Sequence, residues 1–180
     1  MAAQTIRVSN QSWAGRIRPA HAFGLAAVLA VLLAVGSVGP PQLLFNHTAS
    51  EPPGFYWRTG ARPEVGALVA FMAPPAAFPY ADARLPVLRR EPVLKAVAAG
   101  PGDWVCADGR SLAINGVVRA PIADRDEEGR ALPHWGGCRT LRPGELFVFS
   151  ARVPNSFDSR YFGPIPTRAV LGVYTRLGAN

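Results

Sequence analysis

The feature that most restricts this chain is a run without charge from Ala22 to Val38, seventeen residues rich in Ala, Val and Leu. As a helix it would span about 26 Å, near the lower limit for crossing a bilayer. Pro40 and Pro41 end it. The run has no polar face, which argues against a helix packed on one side in a soluble core. Arg7, Arg16 and Arg18 precede it, and the first acidic residue of the chain is Glu51. Positive charge before the span and acids only after it predict an N-terminus in the cytoplasm and the remainder outside. Ala34-Val35-Gly36 also offers small residues spaced for cleavage, so a removed signal peptide is the competing reading. The expected division is a cytoplasmic tail over residues 1–21, a transmembrane anchor or uncleaved signal over 22–42, and an exported domain over 43–180.

The exported part is long enough for one modest domain. Net charge is +7, carried by eighteen arginines and one lysine, Lys95. The arginines are scattered, apart from Arg89-Arg90, and build no basic helix or aromatic-interleaved surface. That excludes a nucleic-acid partner and leaves a solvated charge that favours an anionic membrane surface. Cys106 and Cys138 form an even pair in an oxidising compartment, which predicts one disulfide. Only His134 lies near Cys138, so no metal set is expected.

Gly and Pro total 36 residues, which favours turns and short strands. Apolar strands are expected at Val65–Phe71, Pro92–Ala99, Trp104–Cys106, Ser111–Ile114, Val117–Val118, Glu145–Phe149 and Ala169–Tyr174. Asn115-Gly116 marks a hairpin. Residues 73–88 read as an irregular loop, 119–139 as a polar excursion clipped by the disulfide, and 155–163 as a polar loop. No helix of useful length follows residue 45. The fold class is mainly β.

Three places could carry chemistry. Ser50 stands just past the apolar run, and Pro52, Pro53 and Gly54 follow it, so it is presented on a turn from which a strand leaves through Phe55-Tyr56-Trp57. Lys95 is the one lysine of the chain and sits within Val93-Leu94-Lys95-Ala96-Val97. If it points inward, desolvation lowers its pKa and a neutral amine can take the proton of Ser50, a serine–lysine dyad. The third is Asn155 to Gly163, where a hydroxyl could position the amine and Asp158 with Arg160 could hold the loop. A Ser-His-Asp triad is not favoured: only His21, His47 and His134 are present, and no G-x-S-x-G elbow surrounds Ser50.

These boxes, in this order after an N-terminal apolar segment, resemble the type I signal peptidases: the serine turn, Leu94-Lys95-Ala96-Val97 running into Gly100-Pro101-Gly102-Asp103, and Ser156 to Gly163. The serine box, Asn-x-Thr-x-Ser-x-Pro-x-Gly-x-Tyr over residues 46–56, is similar to the conjugative transfer signal peptidases of the TraF type. The resemblance implies a domain of two antiparallel sheets, Ser50 as nucleophile and Lys95 as general base. It implies that the Thr48 hydroxyl helps the Ser50 backbone N–H hold the oxyanion. Ser156 would orient the amine, and Asp158 and Arg160 would form the supporting pair. The implied protein is an inner-membrane endopeptidase with a periplasmic catalytic domain and no cofactor. It would mature a prepilin, by cleavage or by cyclisation, beside other conjugation-system components. The alternatives are a general housekeeping signal peptidase and a non-catalytic envelope β-domain that binds a secretion partner.

Overall fold

The computed structural model describes residues 39–178. The expected tail over 1–21, and the apolar run as far as Val38, lie outside the described residues. Within them no helix is long and apolar enough to cross a membrane.

Among the described residues eleven strands form two sheets, and every neighbouring pair is antiparallel. They are β1 (Leu43–Asn46), β2 (Gly54–Thr59), β3 (Leu68–Phe71), β4 (Val93–Ala99), β5 (Trp104–Ala107), β6 (Ser111–Ile114), β7 (Val117–Pro121), β8 (Gly137–Thr140), β9 (Glu145–Val148), β10 (Ile165–Pro166) and β11 (Val170–Arg176). The larger sheet runs β1-β2-β11-β3-β4-β9-β10, and the smaller β7-β6-β5-β8. Short helices α1 (Tyr80–Arg84) and α2 (Ser159–Phe162) complete the fold.

The pleat of β9 joins two of the three apolar clusters of the described residues. Leu146 and Val148 pack into one with Val69, Phe71 and Val97, while Phe147 and the following Phe149 pack into the other with Val105, Leu112 and Ile114. Successive side chains of a strand point to opposite faces, so one strand serves both. The hairpin at Asn115-Gly116 has φ of +51° and +79° at the two positions, the backbone that Asn-Gly tolerates best in a two-residue turn. Cys106 and Cys138 face each other across the β5–β8 pair and are joined by a disulfide.

Several expectations need correction. Residues 73–88 are not irregular throughout: they hold helical turns at Pro75–Ala77 and Pro86–Arg89 beside α1. A proline opens each of the two 3₁₀ turns, where its missing N–H costs nothing. The first strand of the expected series is shorter than read, because Gly66, at φ +90°, turns the chain before Leu68. The polar excursion ends in a strand, β8, and Leu43–Asn46 forms β1, which alternation over four residues is too short to announce. Residues 155–163 contain α2, whose four residues are all buried.

Candidate active site

Ser50 sits on a turn hung from the end of β1. Asn46, the last residue of that strand, organises it. Its Nδ2 donates to the carbonyls of Thr48 at 3.0 Å and Glu51 at 2.9 Å, and its Oδ1 accepts from the Thr48 backbone N–H at 3.1 Å. Tyr56, in β2, donates its hydroxyl to Pro52 O at 2.6 Å. From the other side, the Ser150 hydroxyl donates to the Ser50 carbonyl. Pro52 and Pro53 stop helix formation, and these bonds choose one turn from those left open.

Lys95 projects from β4 on the same pleat face as Val93 and Val97, both core residues. It is 5% exposed. Its Nζ lies 2.5 Å from Ser50 Oγ. Protonated, the amine donates along that line; neutral, it accepts the serine proton along the same line. Burial holds the amine below the ordinary lysine range, while the carboxylates of Asp158 and Glu51 pull it back up. Glu51 is itself only 8% exposed. Burial raises its carboxyl above the usual range, opposed by the Lys95 charge, the Ala96 backbone N–H and the Arg152 charge.

Asp158 and Arg160 lie behind the lysine, both at 0% exposure. The guanidinium grips the carboxylate with two bonds, Nε to Oδ1 at 2.8 Å and Nη2 to Oδ2 at 3.0 Å. Its other three N–H groups reach the carbonyls of Ser156 at 2.8 Å, Pro121 at 3.0 Å and Pro154 at 3.2 Å. All five donors of the fork are used. Asp158 also caps α2 through the Arg160 backbone N–H at 3.2 Å. A segment that reads as polar is therefore buried because nothing polar in this pair is left over. Gly163 ends α2 at φ +79°, where a Cβ would come within 2.6 Å of Trp135.

Two expected contacts differ. The Thr48 hydroxyl lies 3.2 Å from Ser50 Oγ but donates to Asn46 Oδ1 at 2.7 Å. Ser156 makes no hydrogen bond to the amine: its Oγ is buried and has no hydrogen-bond partner among the described residues. Ser50, Lys95, Thr48 and Ser156 nonetheless line one cavity of about 430 Å³, with Leu44, Leu88, Val93 and Phe157 as its apolar wall. His47 is exposed and lines the same cavity, while His134 is engaged with Asp124 at 3.5 Å. Among the described residues no three metal-ligating side chains converge. The sequence reading missed the parts played by Asn46, Glu51, Tyr56 and Ser150. Asn46 and Tyr56 stand in the serine box, where only their spacing marks them, and Glu51 is marked only as the first acid of the chain.

The family described as "Signal peptidase, peptidase S26" matches residues 18–177. The chain belongs to this family. Membership makes it a serine peptidase of the signal peptidase class. It is 35% identical over 167 residues to a conjugal transfer protein TraF of Agrobacterium tumefaciens, covering 83% of this chain and 89% of that one. A plasmid transfer protein TraF of Escherichia coli is 30% identical over 159 residues, covering 80% and 87%. A signal peptidase I of Enterococcus faecalis aligns in structure at a TM-score of 0.40 and 22% identity, over 65% of this chain and all of that one.

Proposed function

We propose that the chain is a membrane-anchored endopeptidase that cuts leader peptides from exported precursors, with a conjugative prepilin as its substrate. The observation that carries this reading is the 2.5 Å approach of a buried lysine amine to a serine hydroxyl on a constrained turn, inside an apolar cavity. Neutral Lys95 takes the proton from Ser50 Oγ as Oγ bonds to the scissile carbonyl carbon. The oxyanion forms against the Ser50 backbone N–H, with the Thr48 hydroxyl as second donor once it turns from Asn46. Such a donor is worth about 3 kcal/mol in the transition state. Lys95 then passes the proton to the leaving amine, and the peptide bond breaks. Water, or after a cut near the precursor's C-terminus the amino terminus of the same chain, attacks the acyl carbon with Lys95 again as base; the ester bond to Oγ breaks and Lys95 returns the proton to Ser50. Asp158 and Arg160 hold the wall behind the lysine, and Ser156 orients the amine in the loaded site.

The TraF relatives support a conjugation substrate. An inner-membrane protein with its N-terminus in the cytoplasm and the domain in the periplasm follows from the apolar run and the arginines before it. Exposed Leu43, Phe45, Phe55 and Trp57, paired across β1 and β2, suit a domain held near the lipid surface. The test is co-expression with a candidate prepilin and intact mass of the product. Ser50→Ala is expected to leave the precursor uncut while remaining folded; normal processing by that variant would remove Ser50 from the role. A linear product marks hydrolysis, and a product lighter by one water marks cyclisation.

A further inference from the structure

A second cavity, of about 420 Å³, adjoins the one that holds Ser50. The two share Leu85, Asn155 and Phe157 as a common wall. Its floor is aromatic: Phe157 stacks on Tyr161 with centroids 5.5 Å apart, and Tyr80 lies 5.2 Å from Phe157. Ile122 and Leu132 extend the apolar lining. The charged groups around it each have a hydrogen-bond partner, Arg125 through the Gly129 carbonyl at 2.7 Å. Asp126 accepts from the Tyr80 hydroxyl at 3.1 Å and pairs with Arg130 at 2.9 Å. Glu128 is bound by Arg130, and Glu127 accepts from Asn155 Nδ2 at 2.6 Å. Volume, apolar floor and satisfied rim are those of a site for an apolar group, not for an ion.

We propose that this cavity binds an apolar or aromatic side chain of the precursor polypeptide, at a position just beyond the residues that flank the scissile bond. The proposal rests on the reading of the Ser50 cavity as the cleavage site. Continuity selects the occupant. An extended chain advances about 3.3 Å per residue and turns alternate side chains to one face, so a precursor lying across the shared wall can place one side chain in each cavity. One such apolar contact is worth roughly 10–200-fold in kcat/KM. A second contact therefore separates precursors that carry it from exported chains that do not.

The test compares kcat/KM for a full-length prepilin and for a short peptide confined to the residues flanking its cleavage site. Both are measured with wild type and with Ala123→Trp, which fills the second cavity from an exposed position. The precursor-to-peptide ratio is expected to fall about tenfold in the variant. Alanine in place of one apolar precursor residue outside the short peptide should give the same fall with wild type, and no further fall with Ala123→Trp. An unchanged ratio overturns the proposal, as does full additivity of the two changes. A ratio that varies with enzyme concentration puts a second copy in the cavity and overturns it too. If Ala123→Trp is not recovered folded, Leu132→Phe carries the same test. Failure of the underlying reading looks different: wild type then cuts neither substrate in a Ser50-dependent way, and the proposal falls with it.

Discussion

Two buried charged groups stand side by side in this domain and are treated in opposite ways. Arg160 has every donor matched, two of them on the Asp158 carboxylate. Lys95 is nearly as deep, yet its one hydrogen bond among the described residues goes to a neutral hydroxyl. A buried charge with all its partners stays charged and fixes the elements it ties together. A buried amine without them is driven toward its neutral form, and a neutral amine is a base. The same burial yields a strut in one case and, in the proposed dyad, a reagent in the other, and what differs is the count of partners.

The largest test of this contrast is to put the matched type of cation in the unmatched place. Lys95→Arg keeps the charge but cannot give it up, so processing should fall roughly a thousandfold or more, as far as in Lys95→Ala. Near-normal turnover of folded Lys95→Arg would exclude the dyad and turn attention to His47. The reverse break is Arg160→Met. It leaves Asp158 buried without its partner and should cost about 3–5 kcal/mol, read from the urea midpoint. A loss too small to measure would mean that Asp158 is already balanced by other groups. Lys95→Met sharpens the contrast, since it removes an unmatched amine while keeping the shape of the side chain. The inactive variant should be more stable than wild type, by roughly 1–4 kcal/mol. A destabilised Lys95→Met would show that the amine is better compensated than its single bond implies.

The smallest effect concerns Glu51. In the proposed dyad activity requires the neutral amine, so it is expected to rise with pH through the Lys95 pKa. The Glu51 carboxylate raises that pKa, as does Asp158, while Arg160 lowers it; the Arg152 charge lowers the pKa of Glu51, and Glu51 in turn raises that of the Tyr56 hydroxyl. Glu51→Gln removes one raising charge, so the pKa falls and the acid limb of the pH–rate profile moves to lower pH. An unmoved limb, or one displaced to higher pH, would mean that Glu51 does not act on Lys95 through its charge.

The unmatched half of this pair was legible in the sequence, because a single lysine among apolar residues and a serine before two prolines are local oddities. The matched half was legible only in part. The sequence predicts that Asp158 and Arg160 pair, but residues 155–163 read as a polar loop, since hydropathy scores a side chain without knowing whether its partners come with it. Carbonyls of Pro121 and Pro154 complete Arg160, and no local pattern announces them. Glu51 stayed unread for a similar reason: its burial depends on β4, some forty positions on. The strand run was largely recoverable from alternation and turn residues, whereas the order of strands in the larger sheet was not, because pairing partners lie far apart along the chain.

That order has a consequence in time. β11, the last strand, lies between β2, which leaves the Ser50 turn, and β3, which pairs with the strand of Lys95. A polypeptide delivered N-terminus first lays down Ser50 and Lys95 early, in two ribbons that have no shared edge until residues 170–176 arrive. In the proposed enzyme the two ribbons can be joined, and the site armed, only once residues 170–176 have arrived, later than Ser50 and Lys95 themselves.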